Sequence, residues 1–146
     1  MLGGDRPPEA LGQYTGFLLN WVGARSRARF GAVLADIGLH PREFGVLTII
    51  AERPGITQQE IVDATQVDSS TMVATLDAFE ERGLATRRVH PEDRRKRTVH
   101  LTPQGQKLLA RAKELAGAVG DETFAPLTGA ERRQLRALLR KLAGLD

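Results

Sequence analysis

Leu84-Ala-Thr-Arg-Arg-Val-His-Pro-Glu-Asp-Arg-Arg-Lys-Arg-Thr-Val-His-Leu-Thr102 is the stretch that decides how the rest of this chain is read. Residues 84–89 and 97–101 are two short strand-like runs, and in the second Val99 and Leu101 alternate as one buried face would. Between them lies His90-Pro-Glu-Asp-Arg-Arg-Lys96, a turn-rich and strongly basic connection. From Arg87 to Arg97 six basic residues stand against two acids, a balance of +4, while the whole chain carries +3. Charge placed so locally suits a β-finger pushed at a polyanion. A solvated basic loop is the blander explanation, and charge alone slightly favours it. The flanking sequence tips the balance.

Upstream, two helix starts follow at close range. Thr57-Gln-Gln-Glu60 is a capping box, in which the threonine oxygen and the glutamate carboxylate satisfy free backbone N–H groups reciprocally. The short helix it opens carries Ile61, Val62 and Ala64. Asp68 is a good N-cap for the next, whose inward stripe is Met72, Val73, Leu76 and Phe79, and Arg82-Gly83 ends it. A short helix, a small turn and a second helix make a helix-turn-helix, although many helical proteins use such pairs for packing alone. Before them, Pro41 suits the first turn of a buried helix containing Phe44, Leu47, Ile49 and Ile50, which Arg53-Pro-Gly55 stops.

The outer segments are helical too. Leu11, Tyr14, Phe17, Leu18, Trp21, Ala24 and Ala28 recur at three- and four-residue steps and predict a long amphipathic helix over 11–36, after a flexible lead-in over 1–10. Its glycines make that helix depend on a partner surface. Thr102 and Pro103 start a helix lined by Leu108, Leu109, Ala112, Leu115, Ala116 and Val119. Thr128-Gly-Ala-Glu131 is a second capping box, opening a final helix with Leu135, Leu138, Leu139 and Leu142. The fold expected is therefore mainly α with a small β-hairpin, one domain over 11–146. Residues 41–102 have the layout of a winged helix-turn-helix, set between terminal helices over 11–36 and 103–146 that are candidates for dimerisation.

Composition narrows the function classes. An apolar fraction of 41% supports a core, and no run approaches the roughly 20 apolar residues of a spanning helix. The N-terminus has no signal-like hydrophobic segment, so the expected location is the cytoplasm. Cysteine is absent, which excludes disulfides, thiolate zinc sites and thiol redox sensing. His40, His90 and His100 lack metal-ligand spacing, and neither a nucleophile-and-base set nor a phosphate-cradling glycine loop is visible. No enzyme, no metal and no cofactor are expected.

Phe79-Glu-Glu-Arg-Gly-Leu84, Arg88, Pro91-Glu-Asp-Arg-Arg95 and Val99-His-Leu-Thr-Pro-Gln-Gly105, in this order and spacing, resemble the MarR (multiple antibiotic resistance regulator) family. The resemblance spans essentially everything beyond the first ten residues. It implies a homodimer whose two winged lobes bind a pseudo-palindromic operator on double-stranded DNA. It also implies repression, in many relatives relieved by a small aromatic or anionic compound. In the family the arginine matching Arg95 enters the minor groove, and Asp93 is placed to hold that guanidinium by a charge-assisted hydrogen bond. A plain Asp93–Arg95 surface pair is the competing explanation, and the surrounding motif outweighs it.

Arg94, Lys96, Arg97, Arg87 and Arg88 are expected at phosphates, Arg88 being the one most suited to an internal, structural role. Ser69, Ser70, Thr71, Ala74 and Thr75 fall on the outer face of the recognition helix. With no long bidentate donor there, base reading is expected to use hydroxyls, thymine methyls and groove shape. Thr57, Gln58 and Gln59 add backbone contacts to phosphate or serve only as caps, with equal weight. Dimerisation falls to Leu11, Tyr14, Leu18, Leu115, Leu135, Leu138, Leu139 and Leu142, unless these stripes close a monomeric bundle. Phe17, Trp21, Arg25, His40 and Phe44 are candidates for an effector cleft, though aromatics at helical spacing are more often core and His40 suits a cap. A winged module binding protein or RNA, without operator binding, is the alternative function.

Overall fold

The computed structural model describes residues 6–146, so the first half of the lead-in lies outside the described residues. The elements are α1 (Thr15–Ala35), α2 (Pro41–Glu52), β1 (Ile56–Thr57), α3 (Gln58–Thr65), α4 (Ser69–Glu81), β2 (Ala85–Val89), β3 (Arg97–Leu101), α5 (Pro103–Thr123) and α6 (Gly129–Leu142). The chain divides into two compact units. One is Phe30–Leu115; the other combines the segment up to Arg29 with Ala116–Asp146.

The central unit holds the core. Leu34, Val46, Leu47, Ile50, Ile61, Met72, Leu76, Phe79 and Val99 are fully enclosed, from α1, α2, α3, α4 and β3 in turn. The strands form an antiparallel sheet in the order β1-β3-β2. β2 pairs with β3 from Ala85↔Leu101 to Val89↔Arg97. β1 was not expected. Ile56 and Thr57 pair with Val99 and Thr98, and two residues are too few to show alternation in a sequence.

Capping chemistry sets most helix starts. Thr57 accepts from the Glu60 N–H and Glu60 returns to the Thr57 N–H; Thr128 and Glu131 do the same. A third box, unanticipated as such, has His40 Nδ1 accepting from the Arg42 N–H at 3.1 Å while Glu43 receives the His40 N–H at 2.8 Å. Gly83 at φ 68° ends α4. Beyond it, Thr102 donates its hydroxyl to the Gly83 carbonyl at 2.6 Å and caps α5 by accepting from the Gly105 N–H at 3.0 Å.

The terminal unit differs from expectation at its start. The first long helix begins at Thr15, so Leu11 and Tyr14 precede it, Leu11 closing a 3-10 turn over Glu9–Leu11 after Pro8. α6 has no buried residue. Leu138 is 54% exposed and Leu142 79%, and Tyr14, Leu19, Val22 and Leu145 are exposed in the same unit.

Candidate nucleic-acid interface

The hairpin β2–β3 carries the basic segment at its tip. The turn is closed by the His90 N–H donating to the Lys96 carbonyl at 3.1 Å and the Lys96 N–H donating to the Asp93 carbonyl at 3.0 Å. His90 Nδ1 accepts from the Glu92 N–H at 3.1 Å. These bonds make the tip a fixed turn despite its charge. Asp93 faces Arg95 with both carboxylate oxygens: Oδ1 accepts from the Arg95 backbone N–H at 3.0 Å and from Nε at 3.2 Å, and Oδ2 from Nη2 at 3.4 Å. The Arg95 side chain is nonetheless 91% exposed, against 26% for Asp93. The guanidinium is thus held at its base by Asp93 and open at its rim to an anion. The bonds from Arg95 keep the Asp93 carboxyl below the usual range, so the carboxylate stays charged.

The neighbouring cations divide differently from the sequence-based expectation. Arg87, expected at phosphate, points from β2 back onto α4, where Glu80 and Asp77 receive its guanidinium. Arg88, expected to be the structural one, is exposed on the other face of the strand. Adjacent strand residues must face opposite ways, and α4 lies on Arg87's side. Arg97 turns its Nη1 to the Arg94 carbonyl at 2.9 Å and holds the loop, while Arg94 and Lys96 are exposed. His100, on β3, has its imidazole pushed down by burial and then by the Arg88 charge.

α4 presents Ser69, Ser70, Val73 and Ala74 to solvent. Val73, expected in the inward stripe, is 38% exposed; Met72, Leu76 and Phe79 fill that stripe without it. The hydroxyls are less available than their positions promise. Ser70 donates to Asp68 Oδ1 at 2.7 Å, Thr71 donates to Oδ2 at 2.7 Å, and Thr75 donates to the Thr71 carbonyl at 2.9 Å. Thr57 is engaged with Glu60, Gln58 receives Arg87, and Gln59 donates to Asp63 at 3.0 Å.

Asp68 accepts three bonds, led by the Ser70 hydroxyl and then the Thr71 N–H, which hold its carboxyl well below the ordinary range. Glu60 and Glu131 are lowered chiefly by the N–H groups of Thr57 and Thr128. With the folded values depressed, the unfolded chain binds more protons in acid. The stabilisation is present above the ordinary carboxylate pKa of roughly 4 and disappears as pH falls through it towards the folded values. Thermal melts followed by circular dichroism should therefore show Tm falling between pH 5 and pH 3, and Asp68→Asn should flatten part of that slope. A Tm independent of pH in that window would contradict the capping account.

The effector candidates fall into two groups. Phe17 and Trp21 stack with centroids 6.0 Å apart, and the Arg25 guanidinium lies 5.9 Å from the Trp21 ring centroid. His40 caps α2, and Phe44 packs edge-on against Phe30 at 5.1 Å beside the core. Among the described residues no group of three His, Asp or Glu is placed to hold a metal, and no helix is long and apolar enough to cross a membrane.

Known proteins resemble this chain in sequence and in fold. The profile of the MarR family matches residues 37–96, from the turn before α2 to the wing tip. The transcriptional regulator HosA of Escherichia coli O111:H- is 35% identical over 100 residues, covering 68% of this chain and 74% of HosA. CouR from Rhodococcus jostii RHA1, bound to p-coumaroyl-CoA, superposes with a TM-score of 0.77 at 31% identity, over 93% of this chain and 96% of that one. The transcriptional repressor CouR bound to a 23-mer DNA duplex gives a TM-score of 0.78 at 33% identity, over 97% and 99%. With the capped helix-turn-helix and the arginine-tipped hairpin in place, these similarities have one meaning: the chain belongs to the MarR family of transcriptional regulators.

Proposed function

We propose that this chain is a homodimeric repressor that binds a pseudo-palindromic operator, with α4 in the major groove and the wing tip in the adjacent minor groove. The observation that carries this is Arg95, oriented by Asp93 yet almost wholly exposed at the end of a short, internally bonded hairpin. A planar cation so presented suits the concentrated negative potential of a narrow A·T-rich minor groove. Arg94, Lys96 and Arg88 supply phosphate contacts, which position without reading sequence. Ser69, Val73 and Ala74 offer a small, partly apolar surface suited to thymine methyls.

The apolar surface of the terminal unit supports pairing of two copies. Leu138, Leu139, Leu142, Leu11 and Tyr14 are exposed there, and an open groove of about 610 Å³ is lined by Gly117, Phe124, Leu135 and Leu139. Surface of that kind is uncommon on a monomer. Two-fold pairing places the half-sites about one helical turn, ~10 bp, apart. The Phe17–Trp21–Arg25 stack offers aromatic and cationic contacts to a small aromatic anion, a class supported by the p-coumaroyl-CoA bound to CouR. The role is regulatory rather than catalytic, and it is exercised in the cytoplasm, where the DNA lies.

A mobility-shift titration over a salt series, on a duplex enriched from a randomised pool, tests the reading. Several phosphate contacts per dimer predict affinity falling steeply and linearly on logarithmic axes as salt rises. Failure to enrich any duplex at low salt would count against operator binding and favour a protein- or RNA-binding module.

A further inference from the structure

Arg87 joins the wing to both helices of the helix-turn-helix. Its Nε and Nη2 donate to the two carboxylate oxygens of Glu80 at 2.9 and 3.1 Å, Nη2 also reaches Asp77, and Nη1 lies 3.5 Å from Gln58 Oε1. Its backbone N–H donates to Glu80 Oε1 at 2.9 Å as well. Asp77 and Glu80 sit one turn apart on α4, and Gln58 is the first residue of α3. The side chain is only 20% exposed. With these donors turned inward, the guanidinium has little left to offer a phosphate.

The hairpin has few other supports along β2. Among the described residues that strand is an edge, paired with β3 alone. Past Ala85 the side chains of β2 are exposed or half-exposed, and on β3 burial reaches outward to Val99 and Thr98 and stops there, so the hairpin beyond them is not fixed by packing. A bidentate arginine–carboxylate fork fixes direction as well as distance. The charges reinforce one another: the bonds from Arg87 lower the Glu80 carboxyl, and Glu80, with Asp77, keeps the guanidinium protonated.

We propose that Arg87 is a positioning residue that sets the separation between the recognition helix and the wing, so that α4 and Arg95 reach neighbouring grooves of one duplex together. The proposal rests on the operator-binding reading above. DNA offers its grooves at fixed spacing, and a wing free to swing meets the minor groove in many registers. Arg87 thereby contributes to specificity without touching DNA.

Full-length Arg87→Gln, Arg87→Lys and Glu80→Gln are to be compared with the unaltered protein in two experiments. The first is selection of duplexes from a randomised pool; the second is a salt-series titration on the duplex that the unaltered protein enriches. Arg87→Gln is expected to bind that duplex about tenfold or more weakly, roughly the loss of one charge-assisted fork. Its own selected pool should show a broadened spacing between the inner half-site and the A·T-rich flank that the wing reads. Arg87→Lys keeps the charge without the fork and should fall between. Glu80→Gln weakens the fork from the helix side, and should broaden the spacing even if Arg87→Gln fails to fold. Unchanged spacing in Glu80→Gln, or uniform weakening in Arg87→Gln with the salt slope reduced by about 1, would make Arg87 an ordinary phosphate contact and overturn the proposal. If the unaltered protein enriches no duplex, the operator reading itself falls and takes this role with it.

Discussion

Gly105→Ala is expected to cost about 3 kcal/mol of stability and to lower Tm by roughly 10 °C, at the upper end of what overpacking a close contact does. Gly105 stands in the first turn of α5, where the helix passes directly over the turn that follows α4. A methyl on its Cα would overlap the Leu84 carbonyl oxygen and lie 3.0 Å from that carbonyl's carbon. Neither partner can yield easily. The same carbonyl accepts the Thr102 N–H at 3.0 Å, and Thr102 is tied to Gly83 and Gly105 in turn. Moving α5 away to admit the methyl breaks that set and lifts Leu109 and Ala112 from the core. Gly45→Ala is the control. Beyond its chain neighbours and its own helix backbone, nothing lies within 4 Å of a Cβ added there, so a gain of about 0.5–1 kcal/mol from helix propensity is expected instead. Thermal melts of both variants at one protein concentration decide it; equal Tm values for the two would contradict the close-approach argument.

Arg95→Ala is expected to weaken binding to the selected duplex by about 10- to 100-fold, the range for loss of a positioned arginine contact in each half-site. Lys96→Ala should cost far less. The difference lies in preparation rather than charge. Asp93 holds the Arg95 backbone and guanidinium together, while Lys96 uses its backbone to close the turn and has its side chain in solvent. On the proposed reading Lys96 meets phosphate as a mobile point charge, whose contribution should fall with salt. Asp93→Asn should resemble a milder Arg95→Ala, since it leaves the cation in place without its charged anchor. Titrations in which Arg95→Ala and Lys96→Ala are equally tolerated would remove the wing tip from the account.

Much of the fold was legible because its signals are local. Thr57 with Glu60, Thr128 with Glu131, Asp68, and Gly83 mark helix boundaries through bonds made within a few residues, and the structure shows each of them. The second strand of the hairpin was read from the alternation of Val99 and Leu101, of which Val99 lies in the core and Leu101 packs partly buried against it. What could not be read depends on distant partners. Arg87 and Arg88 are neighbours with identical side chains, and only the position of α4 decides which is drawn inward. β1 exists because β3 passes beside Ile56 and Thr57, not because two residues prefer extended backbone. Val73 fits a helical apolar stripe as well as Met72 does; packing of α4 on the core left it outside. His40 gave no capping-box signal because the usual pattern has serine or threonine in its place.

The positions named for DNA share one property: their chemistry is visible in sequence, but their availability is not. Ser70 and Thr71 carry hydroxyls on the exposed start of α4, yet both donate to Asp68, a carboxylate that the same helix needs as its cap. On the proposed reading, the recognition helix is left with Ser69 and the apolar Val73 and Ala74 to face bases. The proposal therefore places more of the recognition on the wing.

Hydroxyl-radical cleavage of the selected duplex, which reports on sugars at the minor-groove edge, tests that emphasis most directly. Binding of the unaltered protein should protect two symmetric minor-groove patches flanking the centre of the site, and both should disappear with Arg95→Ala at protein concentrations that still saturate the DNA. Protection confined to the centre, or flanking patches that persist without Arg95, would contradict the account.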